Sequence, residues 1–208
     1  MARTGIELLP HACRIVEVAS PARLFGGGTP EAPRVTAFRE IPYSGGDSDA
    51  LTAELRAALK GIGRRASVAV WGLRSTHQVF LLPPAAPADL EAVARREART
   101  APGGLPAPPL ADAVIAGAVR DRRRQTGYAA VAADELRARI QPLLDAVVRV
   151  ESVTTPALAH ALLASQRRAL LPDAVVAVLS VHAQSTAITV VNGGVVLFAR
   201  PYNGFAEE

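Results

Sequence analysis

Reactive sulfur and metal-binding chemistry are almost absent from this sequence. The single cysteine, Cys13, lies in an apolar stretch, which excludes a disulfide framework and a thiolate metal site. It is expected to be a buried small hydrophobe. The four histidines, His11, His77, His160 and His182, are scattered, and no pair has metal-ligand spacing. The local signatures of serine hydrolases, P-loop nucleotide binders and dinucleotide binders are missing as well. No stretch approaches the roughly 18 consecutive apolar residues of a membrane-spanning helix. The N-terminus also lacks the charged-then-apolar pattern of a secretion signal. Aromatic residues make up only 4 % of the chain, and Lys60 is the one lysine among 23 basic residues. A net charge of +4 carried by arginines, with no aromatic residues between them to stack bases, is a poor footprint for nucleic acid. The densest basic run, Arg120 to Arg124 in "RDRRRQTG", is expected at a solvated hairpin tip. No nucleic-acid partner is expected.

What is present reads as an α/β protein. A chain of 208 residues, half of them hydrophobic, can bury roughly 70 % of its unfolded surface without staples. Two short strands, Thr4 to Leu9 and Cys13 to Val18, flank a turn at Pro10 to Ala12, and "RVTAFREI" (Arg34 to Ile41) supplies a third. The glycines at 26 to 28 mark a flexible turn between strands. A helix follows, with Ser48 as N-cap, Leu51, Leu55, Ala58 and Leu59 on one stripe, and Gly61 as its stop. "ASVAVWG" (Ala66 to Gly72) is apolar at most positions, as a strand inside a sheet should be. "STHQVFLLPPAAP" then gives a strand and a proline elbow, followed by a helix over Asp89 to Arg99 and a loop over Thr100 to Asp112. Strands over Ala113 to Val119 and Tyr128 to Ala133 pair through the arginine hairpin. The next helix is kinked or ended near Pro142. A strand over Val147 to Val153 leads to a helix with Pro156 in its first turn, and three more strands follow, with Asn192-Gly193 as a hairpin signal.

Two strand–turn–strand units stand at opposite ends: "GIELLPHACRIVEV" (Gly5 to Val18) and "LSVHAQSTAITVVNGGVVLFARPYNG" (Leu179 to Gly204). With "QVFLLPPAAPADLEAVARREA", "YAAVAADELRARIQPLL" and "TPALAHALLA" between them, their order and spacing resemble the PilM family of type IV pilus assembly proteins. The L protein of type II secretion is a close relative in architecture. The resemblance spans Gly5 to Gly204 and implies an actin-like (ribonuclease H-like) α/β fold with a small inserted α+β subdomain. On that reading 1–75 and 147–170 form the core subdomain, 76–146 the insertion, and 171–208 the start of a second, truncated half.

In that fold two hairpins, each headed by an aspartate and a glycine, face the nucleotide phosphates. Carried onto this chain, the aspartate of the first loop falls on Glu7, its glycine on Leu9 and its lysine on Arg14. In the second loop the aspartate falls on Ser180 and the glycine on His182, while Gln184, Ser185 and Thr186 follow. Aspartates there would hold magnesium, and glycines would let backbone N–H groups close on phosphate. Leu9 and His182 are expected to put side chains in the way, and Ser180 supplies no charge. The degenerate site is therefore Glu7, Arg14, Ser180, Gln184, Ser185 and Thr186, with no ATP or magnesium expected and no enzymatic activity; a live ATPase of the same fold is the alternative. The resemblance implies a cytoplasmic scaffold at the inner face of the inner membrane. Its partner would be a short segment of a PilN-like inner-membrane protein, or an assembly ATPase, and oligomerisation is compatible with it. Phe80, Leu81 and Leu82 are the candidate lining of a peptide groove.

Overall fold

The computed structural model describes residues 2–19, 34–43, 48–106, 108–166, 174–182 and 185–203. The chain divides into two compact units, Met1–Gly72 with Arg137–Thr155, and Leu73–Leu136 with Pro156–Glu208.

The first unit is built on a five-stranded sheet of order β3-β2-β1-β4-β8. Its strands are β1 (Ala2–Leu8), β2 (Ala12–Ala19), β3 (Arg34–Pro42), β4 (Arg65–Val70) and β8 (Arg149–Thr154). β1, β2 and β3 form an antiparallel meander, and β4 and β8 add in parallel on the other edge of β1. Alternation divides the residues between faces. Ile6, Leu8, Cys13, Ile15, Val68 and Val70 are buried, joined in the core by Leu51 and Leu55 of α1 (Ser48–Ala58). Burying each such leucine is worth about 1.5–3 kcal/mol. Helix α3 (Ala133–Asp145) runs through Pro142 to Asp145. Pro142 O accepts from Ala146 N (3.0 Å), and Val147, at φ +62°, then reverses the chain.

The second unit contains two three-stranded sheets. One has the order β5-β7-β6, from β5 (Thr76–Leu82), β6 (Leu110–Arg120) and β7 (Arg123–Ala132). Helix α2 (Pro87–Thr100) buries Leu90, Ala94 and Ala98 against this sheet, packing on Leu82, Tyr128 and Ala130. It begins two residues before the expected Asp89. Pro87 starts it without a side-chain cap, since a proline at the first position needs no N–H partner. The other sheet has the order β11-β10-β9, from β9 (Val175–His182), β10 (Ser185–Asn192) and β11 (Val195–Asn203). Helix α4 (Pro156–Gln166) lays an alanine face on it, with Ala157, Ala161 and Ala164 against Val191 and Val196.

Within the segment 147–170, β8 groups with the first compact unit and α4 with the second. The small side chains of α4 let it lie close to β10 and β11, and the boundary between units falls inside α3. The last hairpin turns one residue later than Asn192-Gly193 suggested. Asn192 pairs with Val195, so Gly193 (φ +60°) and Gly194 (φ +83°) form the turn, as a tight two-residue loop requires. The flexible turn assigned to the glycines at 26 to 28 lies outside the described residues.

Candidate functional site

The first hairpin and its neighbour β3 bring three charged side chains together. β1 and β2 place Glu7 opposite Arg14, and β3 places Glu40 opposite Arg14. With Ala69 on β4 and Thr154 on β8 they form one row across all five strands. Arg14 Nε donates to Glu40 Oε2 at 2.6 Å, and its Nη1 lies 3.5 Å from Glu7 Oε2. These contacts, Glu40 foremost, hold the guanidinium pKa above its ordinary value. Glu7 has a second partner: the indole N–H of buried Trp71 donates to its Oε1 at 2.8 Å. Trp71 follows β4, whose parallel register sets it on the same face two residues beyond Ala69. Both carboxylate oxygens of Glu7 are thus engaged, one by a neutral donor and one by a cation.

The turn is closed by its own backbone. Leu9 N donates to Ala12 O (2.9 Å), Tyr43 N donates to His11 O (3.0 Å), and the Tyr43 hydroxyl donates to Leu9 O. Leu9 itself is 0 % exposed. That corrects one expectation: its side chain is turned into the core and does not stand over the hairpin. The turn departs from a phosphate nest because its backbone groups bond to one another. Cys13, buried beneath, has its thiol pKa pushed up to about 12 by burial and secondarily by the Glu7 carboxylate. On the exposed face beside the row, Gly5, Val16, Phe38, Ala69 and Thr154 line a shallow concavity of about 350 Å³.

The second loop lies in the other unit. Ser180 pairs with Ala187, Val181 with Thr186, and His182 with Ser185. Thr186 is buried, with no hydrogen-bond partner for its hydroxyl among the described residues. Gln184 lies outside the described residues. His160, which offered no spacing signal, hydrogen-bonds through Nδ1 to Thr189 Oγ1 of β10 at 2.9 Å, pinning α4 to its sheet.

The groove residues separate by strand alternation. Phe80 and Leu82 face α2 and pack into the core of their subdomain, whereas Leu81 points the other way and is 61 % exposed. The concavity in this subdomain lies elsewhere. It has a volume of about 520 Å³, is walled by Leu105, Pro106 and Leu110, and is edged by Arg99, Asp112 and Tyr128. Asp112 is held by a two-pronged contact from Arg95 (2.9 and 3.3 Å), and the buried Tyr128 hydroxyl has its pKa raised by burial and by Asp112. No sequence signal marked this site, because its lining comes from a loop, the end of α2 and two paired strands, β6 and β7.

The arginine hairpin is tighter than expected. Asp121 and Arg122, both at positive φ, make the whole turn, and Arg123 and Arg124 belong to β7, on opposite faces. Arg124 Nη1 donates to Gly117 O at 3.2 Å. The run therefore does not form a single cationic surface.

The meander with parallel strands added on its inner edge, and a second meander at the far end of the chain, define an α/β protein of the actin-like fold. Among solved structures the chain is similar to the PilM–PilN type IV pilus biogenesis complex, with a TM-score of 0.73 and 21 % identity over 97 % of this chain and 61 % of the matched one. It is also similar to the cytoplasmic domain of EpsL, an inner-membrane component of the type II secretion system of Vibrio cholerae, with a TM-score of 0.57 and 12 % identity over 98 % of this chain and 71 % of that one. The chain thus spans about three fifths of the matched chain in the pilus complex. No protein-family model matches the sequence, and no curated protein matches it.

Proposed function

We propose that this chain is a cytoplasmic scaffold of a type IV pilus or type II secretion machine. It works at the inner face of the inner membrane by docking a short segment of a PilN-like protein, or an assembly ATPase, without using nucleotide. The similarity in fold to the pilus complex and to EpsL supports the machine class.

The observation that carries the nucleotide half is the state of Glu7. A carboxylate that binds magnesium must bring it uncompensated negative charge, yet Glu7 accepts from Trp71 and is paired with the Arg14 cation. Arg14 in turn is shared between Glu7 and Glu40, and the Leu9 N–H is donated to Ala12. Ser180 brings no charge from the second loop. These residues do not fit a magnesium-bound triphosphate, so no catalytic step is assigned to them. Docking falls to the α+β subdomain, whose concavity beside Leu105 and Leu110 offers apolar walls with Arg99 at the rim for a carboxylate.

The test is a titration of the chain with a synthetic peptide copying the cytoplasmic N-terminal segment of the PilN-like protein from the same genome. Saturable one-to-one binding, weakened about tenfold or more by Leu105→Asp, is expected. An unbound peptide at millimolar concentration, or binding indifferent to Leu105→Asp, would overturn the assignment of this surface.

A further inference from the structure

Gln78 leaves a whole polar group unpaired. Its Nε2 and Oε1 are both shielded from solvent, and neither has a hydrogen-bond partner among the described residues. His11, Arg124 and Thr186 each leave only a single atom in that state. Burying an amide without partners is costly, and an apolar side chain of the same shape would avoid the cost. The position of Gln78 ties it to the docking concavity. It lies on β5 directly opposite Tyr128 of β7, and opposed residues in an antiparallel ladder share a face, with Cβ atoms about 5 Å apart. Phe80 and Leu82 alternate in step with Gln78 and pack beneath α2, so this is the face that the helix covers. Tyr128 edges the concavity, and Leu105, its apolar wall, packs on the cluster of Ala98, Tyr128 and Ala130. The Tyr128 hydroxyl bonds to Asp112 rather than to Gln78. Gln78 is only half-buried as a residue, so its stem reaches the surface and a change of rotamer turns the amide outward.

We propose, on the basis of the docking function proposed for this subdomain, that Gln78 is a specificity-determining residue of the docking site. Its amide pairs with the main chain of the docked segment, Nε2 donating to a carbonyl oxygen and Oε1 accepting from an N–H. A carboxamide carries one donor edge and one acceptor edge, which is the complement of a peptide unit whose own groups are unpaired. The occupant is therefore an extended segment that sets an aliphatic side chain against Leu105 and Leu110 and turns a peptide unit toward β5. A helical segment does not meet this requirement, because its interior N–H and C=O groups already bond to one another.

The test is Gln78→Met, which keeps the shape of the side chain and removes its polar groups. The variant should raise the urea midpoint of the free chain, yet weaken binding of the synthetic PilN-like peptide about tenfold or more. Those opposite movements separate recognition from a structural role, in which stability and affinity would fall together. A set of the same peptide with single N-methylated residues gives a second readout. At one position methylation should cost the parent chain about tenfold in affinity and cost Gln78→Met little, since the partner of that N–H is already gone. Binding that is weakened by Leu105→Asp but unchanged in Gln78→Met overturns this role alone, and so does an N-methyl series that reads the same in both proteins. A lower urea midpoint in Gln78→Met would mean that the amide is already satisfied in the free chain, and overturns it as well. A peptide that the parent chain does not bind overturns the docking surface itself, and this role for Gln78 with it.

Discussion

The turn of the last hairpin rests in a socket made by two glycines, and removing them should cost more than strand propensity predicts. At Gly127 on β7 an added Cβ would lie 2.9 Å from Val195 Cγ1, a side chain that is itself fully buried. At Gly117 on β6 it would lie 2.6 Å from Val195 Cγ2 and also 2.8 Å from the carbonyl oxygen of Gln125 and 3.2 Å from that of Gly193. Replacing a strand glycine by alanine in open space stabilises by about 0.5–1 kcal/mol. Here overpacking should reverse the sign, with a cost of about 1–3 kcal/mol for either substitution. The two sites differ in what can give way. Val195→Ala alone removes two methyl groups, about 1.6 kcal/mol at about 0.8 kcal/mol each, plus the cavity they leave. With Gly127→Ala the new methyl enters that space, so the double variant should be more stable than the sum of the singles by about 1–2 kcal/mol. Gly117→Ala should gain less from Val195→Ala, because two of its three close neighbours are backbone oxygens. Urea unfolding of the single and double variants, compared by midpoint, measures these couplings. A Gly127→Ala protein as stable as the parent, or equal coupling at both glycines, would refute the socket.

Two further predictions concern groups that the fold holds away from their ordinary state. Val147 closes α3 in a left-handed conformation while Val147 N bonds Leu144 O and Val148 N bonds Leu143 O, the paired bonds of a glycine-type helix stop. Val147→Gly should therefore raise stability by about 0.5–1 kcal/mol in thermal or urea unfolding, and a loss would contradict the strain. The Cys13 thiol, raised from 9.0 to about 12 in the folded chain, should resist a thiol reagent at pH 8 until the protein unfolds. Because the folded state keeps its proton longer, the contribution is complete below pH 9 and is lost as pH rises from there toward 12. Cys13→Ala should flatten the alkaline decline by up to about 1.4 kcal/mol per pH unit, and an unchanged slope would assign the decline to other groups.

Element order was legible in the sequence because strand alternation and helical periodicity are local properties. The apolar stripe from Leu51 to Leu59, the proline elbow after Leu82 and the strand "AVVAVLSV" all marked elements close to their observed bounds. Features that depend on distant partners were not legible. Nothing local says that Leu9 turns inward, since a turn residue has no periodic neighbour to fix its side. The bond between Trp71 and Glu7, 64 positions apart in the sequence, depends on the parallel register of β1 and β4. The Asp121-Arg122 turn was read too wide because arginine rarely takes positive φ. The alanines of α4 gave no indication of which sheet they would meet. At the first hairpin the sequence suggested a protruding leucine, whereas Leu9 is buried and the backbone groups of the turn bond to one another.

The most direct test of a retained frame without nucleotide chemistry is calorimetric titration of the chain with Mg-ATP. No heat of binding is expected up to millimolar nucleotide, with the parent chain and Trp71→Phe alike. Binding of micromolar strength that disappears in Glu7→Ala would mean that Glu7 leaves Trp71 and Arg14 to serve a metal, and the frame would then be a working ATP site.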